Sequence, residues 1–320
     1  MRACGRSERE SASTMGANGS ARAAGLALAV AGAIAFSGKA IIVKLGYRHG
    51  ADAVTLLMLR MLFALPIFLA MAWWASRGKP GLTGRQWGGV VFLGATGYYL
   101  SSFLDFAGLQ YISASLERLI LYLNPTLVLV LGAVLHQRRV LRGQALGIAL
   151  SYAGVLVVFG HEVGLQGAHA TLGSALVLAS AVTYAIYLVY SGQMVQAMGS
   201  LRLVGLATSV ACVLVLLQFV LLRPVDLVWT LAPEVIWLSV LNAVMCTAVP
   251  VVLVMMAIER IGSGMTAQTG MIGPMSTILM GVFILGEPFT AWVAAGTALV
   301  ITGIWLFTRR AGAAAPQSAK

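Results

Sequence analysis

Five charged residues stand where the chain is otherwise apolar: Lys39, Arg60, Asp105, Glu117 and Arg118. A charge inside a hydrophobic helix costs at least about 2.5–3.5 kcal/mol unless it is paired, reaches the surface or faces water. Counting from helix ends at about 1.5 Å per residue puts Lys39 and Arg60 roughly 10 Å below one surface, and the other three roughly 5–8 Å below it. They form one layer. Three cations face two carboxylates, and the spare positive charge favours a ligand with an anionic group. Each residue also has a plainer reading: Lys39 can snorkel outward, Arg60 can serve a structural ion pair, and the other three can make a solvated rim. Glu117 and Arg118 point some 100° apart on a helix, so one of them should pair with a charge on another helix. The expected arrangement has Asp105 and Glu117 holding Lys39 and Arg60.

Later in the chain come polar residues without charge: Tyr184, Tyr187, Gln218, Asn242, Thr266 and Gln268. Most such side chains in membrane helices bond to neighbouring helices, but together they suit the hydrogen-bonding wall of a pocket. Nothing resembles a catalytic or metal-ligand constellation. There is no HExxH, no CxxC pair and no Gly-rich phosphate loop, and His49, His136, His161 and His169 lie in or beside expected loops without ligand spacing. An intramembrane enzyme would have to use Asp105 with Glu117, and the nearby cations fit ion pairing better. No cofactor and no metal are expected. A receptor or scaffold stays open as a rival, and it would have no central cavity.

The elements that position these residues must be membrane helices. Of 320 residues, 59% are hydrophobic and 10% charged, a composition no water-soluble domain of this size could bury. Mean hydropathy is +0.90. Ten spans are expected, at 24–44, 53–74, 87–108, 113–135, 142–160, 172–190, 202–222, 234–256, 263–285 and 290–308. Residues 1–22 read as a disordered tail with Met15 as an alternative start, and 309–320 as a second tail. The net charge of +11 raises nucleic-acid binding, which the distribution of the charge excludes. Arg77, Lys79, Arg85, Arg138, Arg139, Arg142, Arg202, Arg260, Arg309 and Arg310 fall on one face with the tails, against Lys44, Arg48 and Arg223 on the other. By the positive-inside rule, both termini and the Gln137–Arg142 loop are cytoplasmic in a cell (inner) membrane. All seven Trp residues lie at or near helix ends, as interfacial belt residues do. Cys4, Cys212 and Cys246 make no disulfide framework.

The chain is also written twice. Moving Ile112–Val158 forward by 149 positions lays it on Ile261–Phe307, with Pro125 on Pro274, Gly132 on Gly281, Gly147 on Gly296 and Gly154 on Gly303. A looser echo sets Gly25–Phe36 against Gly173–Tyr184. The units are 24–160 and 172–308, and an odd number of spans in each forces the second to run opposite to the first. The fold class is therefore all-α, ten transmembrane helices in two inverted five-helix repeats. Opposed repeats imply a transporter, and paired prolines near mid-span mark its binding site. Each proline should act as a hinge and leave a backbone oxygen free, at Leu121 and Gly270. Tyr122, Asn124, Gln268 and Met271 should then line a central cavity, lidded by the charged layer.

LRMLFALPIF at 59–68, GLQYISASLERLILYLNPT at 108–126 and LGEPFTAWVAAGTALVITGIWL at 285–306, together with the helix count and the repeat, resemble the drug/metabolite transporter superfamily and its EamA-type members. The resemblance covers 24 to 308. It implies a secondary transporter, with export the expected direction, for a small polar or anionic metabolite such as an amino acid or organic acid. Partners are then the solute, the lipid bilayer and, as a candidate coupling ion, protons. The first repeat departs from the GE pattern by having Arg138 where the second has Glu287, so Glu287 reads as a loop or helix-start residue near the outer surface rather than a coupling carboxylate.

Overall fold

The computed structural model describes residues 4–136 and 142–313, all of it helix and connecting loop among the described residues. In chain order the helices are α1 Cys4–Arg48, α2 Ala53–Ser76, α3 Gly84–Leu93, α4 Ser101–Leu109, α5 Ala114–Leu121, α6 Asn124–His136, α7 Arg142–Gln166, α8 Ala168–Met198, α9 Ser200–Leu222, α10 Pro233–Ala243, α11 Val249–Thr269, α12 Gly273–Met280 and α13 Ala291–Ala313. Two π-helical stretches, Gly94–Leu100 and Val244–Ala248, join α3 to α4 and α10 to α11 without a break. α1 is helical from Cys4. Its membrane-spanning part begins at Ala23.

Among the described residues, eight helices are long and apolar enough to cross a membrane, and two shorter apolar helices, Gly273–Leu285 and Ala291–Leu306, follow them. The ninth expected span is short because it is interrupted. Gly262 leaves helical geometry at φ 79°, and a 3-10 turn at Gly270–Ile272 separates α11 from α12. The fourth breaks at the corresponding place: α5 ends at Leu121 and α6 resumes at Asn124. Pro125 and Pro274 each follow the break, since a proline ring crowds the carbonyl of the preceding turn.

Contacts cross between the halves in matched pairs. The first helix of each half packs on the third of the other, α1 on α11 and α8 on α4; the second helices pack together, α2 on α9, as do the fifth, α7 on α13. The glycines that match between the repeats make the last contact possible. A Cβ on Gly154 would lie 2.6 Å from the Gly296 carbonyl oxygen, and one on Gly303 would lie 2.6 Å from that of Gly147. Backbones meet directly, as at small-residue contacts in membranes. Gly154→Leu should therefore force α7 from α13 at a cost of about 3 kcal/mol or more, seen as loss of monodisperse protein after extraction into mild detergent.

One end of the bundle, near Arg48, is pinned by ion pairing. Asp52 caps α2, accepting from the Thr55 amide at 2.9 Å, and pairs with Arg223 after α9. Burial pushes the Asp52 carboxyl up, but hydrogen bonds from Thr55 and Arg223 outweigh it and hold the group below the usual carboxylate range. Its stabilisation is present above about pH 4 and lost as pH falls through the lowered folded-state value. Because the Arg223 and Asp52 side chains are 41% and 30% exposed, Asp52→Asn should cost only about 0.5–1 kcal/mol. The resulting drop in Tm should vanish on acidification.

Candidate functional site

A cavity of about 670 Å³ occupies the middle of the bundle. It is walled by α1, α2, the two π-helical stretches with α4 and α11, α5, α8 and α9. The π-helices are what turn polar groups inward. They fall at equivalent places in the two halves and bring Tyr98 and Thr247, which are 149 positions apart, to the wall. A widened turn re-aims side chains in this way, and no residue pattern in the sequence announces it.

The charged layer forms the end of this cavity nearer Arg48. The Lys39 ammonium lies 2.5 Å from Asp105 Oδ2 and 3.4 Å from Glu117 Oε1. Glu117 is fully buried, and neither of its oxygens accepts a hydrogen bond. Lys39 therefore points inward to two carboxylates instead of snorkelling. The expectation that Arg60 shares these carboxylates is corrected: its Nε donates to Thr247 Oγ1 at 3.2 Å, and its guanidinium stands 5.3 Å from the centre of the Phe106 ring. Thr247 in turn donates to the Asn242 carbonyl at 2.9 Å, a bond the π-helix creates. Arg118 donates to Ser37 Oγ at 3.1 Å, and its Nε is buried without a partner. Arg60 and Arg118 both line the cavity, and neither has a carboxylate partner among the described residues.

Away from the layer the cavity is apolar and aromatic. Tyr98 and Tyr187 join hydroxyls at 3.1 Å, Tyr184 stacks on Tyr187, and Phe36, Phe68, Val254, Met255 and Ile258 complete that part. The asymmetry follows from the repeat. Asp105 and Glu117 correspond to Val254 and Thr266, and Lys39, on the looser echo, to Tyr187. One half supplies charge and its counterpart supplies body.

Tyr122, Asn124, Tyr184 and Tyr187 line the cavity. Asn242 does not. It is buried behind Thr247, because the π-helical turn presents Thr247 in its place. The side chains of Gln268 and Met271 lie outside the described residues, as does Arg138. Pro125 is exposed and Pro274 buried, and neither lines the cavity. The Gly270 oxygen freed beside Pro274 is taken by the Tyr122 hydroxyl at 2.7 Å, so the two helix breaks touch across the halves. Leu121, its counterpart, lines the cavity.

Sequence reasoning missed Glu162, and it placed Glu287 without assigning it a partner. Glu287 accepts from the Ala114 amide at 2.7 Å, the Ser115 amide at 3.3 Å and Ser115 Oγ at 2.8 Å. Glu162 accepts from the Ser113 amide at 3.2 Å and from Ser113 Oγ. Carboxylates from two distant segments thus cap the turn that opens α5, where the positive end of the helix favours them. The only sequence signal for Glu162 is a carboxylate two residues beyond an expected span.

Paired helices in two like halves around a central cavity, charged at one end, define a polytopic membrane transporter. The chain belongs to the EamA-like transporter family, whose model matches it twice, at residues 23–160 and 171–309. It is 31% identical over 279 residues to the uncharacterized transporter YcbK of Bacillus subtilis (strain 168), covering 83% of this chain and 86% of that one. An uncharacterized transporter of Archaeoglobus fulgidus is 23% identical over 281 residues, covering 86% and 94%. A solved crystal structure superposes with a TM-score of 0.61 at 19% identity, over 92% of this chain and 99% of that chain, a likeness of fold.

Proposed function

We propose that the protein is a secondary transporter of the cell (inner) membrane that exports a small metabolite with an anionic group and an apolar or aromatic body. The single observation that carries this is the cavity's two buried guanidiniums, Arg60 and Arg118, which have no carboxylate partner among the described residues and face a wall of tyrosines and aliphatic side chains. An amino acid or organic acid would set its carboxylate between them, where a charge-assisted bond is strongest, and its body among Tyr98, Tyr184 and Tyr187. A purely structural scaffold has no use for such a cavity.

In this reading the ten apolar segments are ten crossings in two inverted repeats, with both termini cytoplasmic. The matched helix pairing between halves and the basic loops support it. The lining extends to Ser191 and Ile258, near the helix ends on the basic side, and stops at least four positions short of the helix ends nearest Arg48, which supports access from the basic side. Alternating access would rock the halves about the touching breaks at Tyr122 and Gly270, with Pro125 and Pro274 as the hinges. Protons fit as the coupling ion: a proton on Glu117 would end its competition with Asp105 for Lys39 and loosen the layer.

Untargeted metabolite profiling of cells with and without the protein, followed by uptake into proteoliposomes, tests this reading. One or more carboxylates should accumulate in the medium of expressing cells, and uptake should respond to an imposed pH gradient. Efflux of lipophilic cations alone would overturn the substrate class.

A further inference from the structure

Four cations gather where the loop between α2 and α3 meets the turn between α8 and α9: Arg77, Lys79, Arg85 and Arg202. Arg202 is buried and serves the fold, its Nε donating to Ser76 Oγ at 3.1 Å and its Nη2 to the Pro80 carbonyl at 2.9 Å. Lys79 donates to the Met198 carbonyl at 3.3 Å, just before Gly199, whose φ of 87° makes the turn. Neutral oxygens thus hold the loops of the two halves together and leave the charge unneutralised. Residues 73–87 and 195–205 contain no Asp or Glu, and none of the four cations lies within ion-pair reach of a carboxylate among the described residues. Arg85 even stands in the first turn of α3, the end of a helix that disfavours a cation. The Arg77 and Arg85 side chains donate to no protein oxygen among the described residues. Around them the surface is that of a headgroup layer. Trp73 and Trp74 are 64% and 63% exposed at the end of α2, Trp87 is exposed at the start of α3, and the Arg77 guanidinium lies 4.5 Å from the centre of the Trp73 ring. Exposed indoles at helix ends mark the level of the lipid headgroups.

We propose that this basic loop binds the phosphate of an anionic phospholipid from the leaflet on that side, and that the lipid fastens the two halves together beside the mouth of the central cavity. Arg77 and Arg85 supply free donors, Lys79 a third cation, and the exposed indoles a footing for the glycerol and upper acyl chain. An anionic lipid fits better than a soluble phosphate, because the loop lies at headgroup depth, where lipid phosphate is concentrated. The fastening follows from what the cations touch. The loop belongs to the first half, and Met198 and Arg202 to the second. Leu82 of the loop packs with Met198 and Leu203, and Ser191 and Val204, on the helices that enter and leave the turn, line the central cavity. The site is independent of which solute that cavity takes.

Lipid retention by the full chain in detergent, counted by native mass spectrometry, tests the site directly, and thermal melting of the same samples reads the fastening. Dioleoylphosphatidylglycerol should raise Tm by about 5 °C or more over dioleoylphosphatidylcholine, and salt on the order of 1 M should erase the difference. Each cation at a membrane surface contributes about fivefold to binding, so Arg77→Gln, Lys79→Gln and Arg85→Gln together should weaken retention of phosphatidylglycerol about a hundredfold. The triple variant should also lose the rise in Tm, while its Tm in phosphatidylcholine stays near that of the parent. Arg77→Gln with Arg85→Gln leaves the Lys79 bond to Met198 in place, should lose most of the effect, and guards against misfolding of the triple variant. Removing three cations of the same face elsewhere, by Arg142→Gln, Arg260→Gln and Arg309→Gln, should leave the effect intact. An equal response of the parent to both lipids would overturn the proposal, and so would a phosphatidylglycerol response that the loop variants keep or that the control loses equally. Glycerol phosphate reproducing the rise in Tm at equal concentration would also overturn it, by assigning the loop to a soluble phosphate.

Discussion

Lys39→Met should be the most damaging single substitution in the charged layer, lowering stability by about 3–5 kcal/mol. Among the described residues, Lys39 is the one cation within ion-pair reach of both Asp105 and Glu117, at 2.5 and 3.4 Å, and no other side chain or amide among them donates to Glu117 apart from its carboxyl neighbour Asp105. Removing the ammonium leaves two buried carboxylates facing each other. Thermal melting of the purified protein in detergent should show the loss as a large drop in Tm, or as failure to obtain folded material at all. The triple variant Lys39→Met, Asp105→Asn, Glu117→Gln should recover most of that stability, since a neutral, isosteric layer carries no desolvated charge. It should not recover transport. If Lys39→Met melts like the parent, the three groups are not ionised as drawn, and the layer cannot act as a charge switch.

Arg60→Met with Arg118→Met should do the reverse, abolishing transport while sparing the fold. Neither guanidinium has a carboxylate partner among the described residues; each spends its buried charge on a hydroxyl, Thr247 for Arg60 and Ser37 for Arg118. The double replacement loses the through-space attraction of Asp105 for Arg60 and of Glu117 for Arg118 but also removes two desolvated cations and breaks no direct ion pair, so it should cost the folded state less than Lys39→Met. Solute binding should suffer by about 2–5 kcal/mol, a loss of roughly thirtyfold to several thousandfold, if the solute carboxylate lies between the two. Initial uptake rates in proteoliposomes, set beside the Tm of the same preparation, separate the two effects. Normal uptake with normal stability would remove both arginines from the path.

Taken together, the two experiments distinguish the roles of three cations that lie in one layer. Lys39 lies within ion-pair reach of Asp105 and Glu117, whereas Arg60 and Arg118 stand on the cavity wall with hydroxyl partners.

What the sequence determined by itself was whatever depends on local pattern and on the cost of burial in lipid. Apolar runs of about twenty residues must cross a membrane as helices, so the elements and their rough limits were legible. The repeat was legible because its matched residues, Pro125 with Pro274 and Gly147 and Gly154 with Gly296 and Gly303, are those a packed helix cannot exchange freely. Asp105, Glu117, Lys39, Arg60 and Arg118 were legible as a layer because depth follows from position along a helix. Which of them touch was not, because rotation about the helix axis and contact with distant segments are set only when the bundle packs. Lys39 took both carboxylates, Arg60 turned to Thr247 through a π-helical turn that leaves no sequence mark, and Asn242 fell behind it. Glu287 and Glu162 met at one turn of α5 although 173 and 49 positions separate them from the groups they bind. Tertiary structure alone decided that, because the free amides of a helix start attract whichever carboxylate the packing of other helices brings within reach.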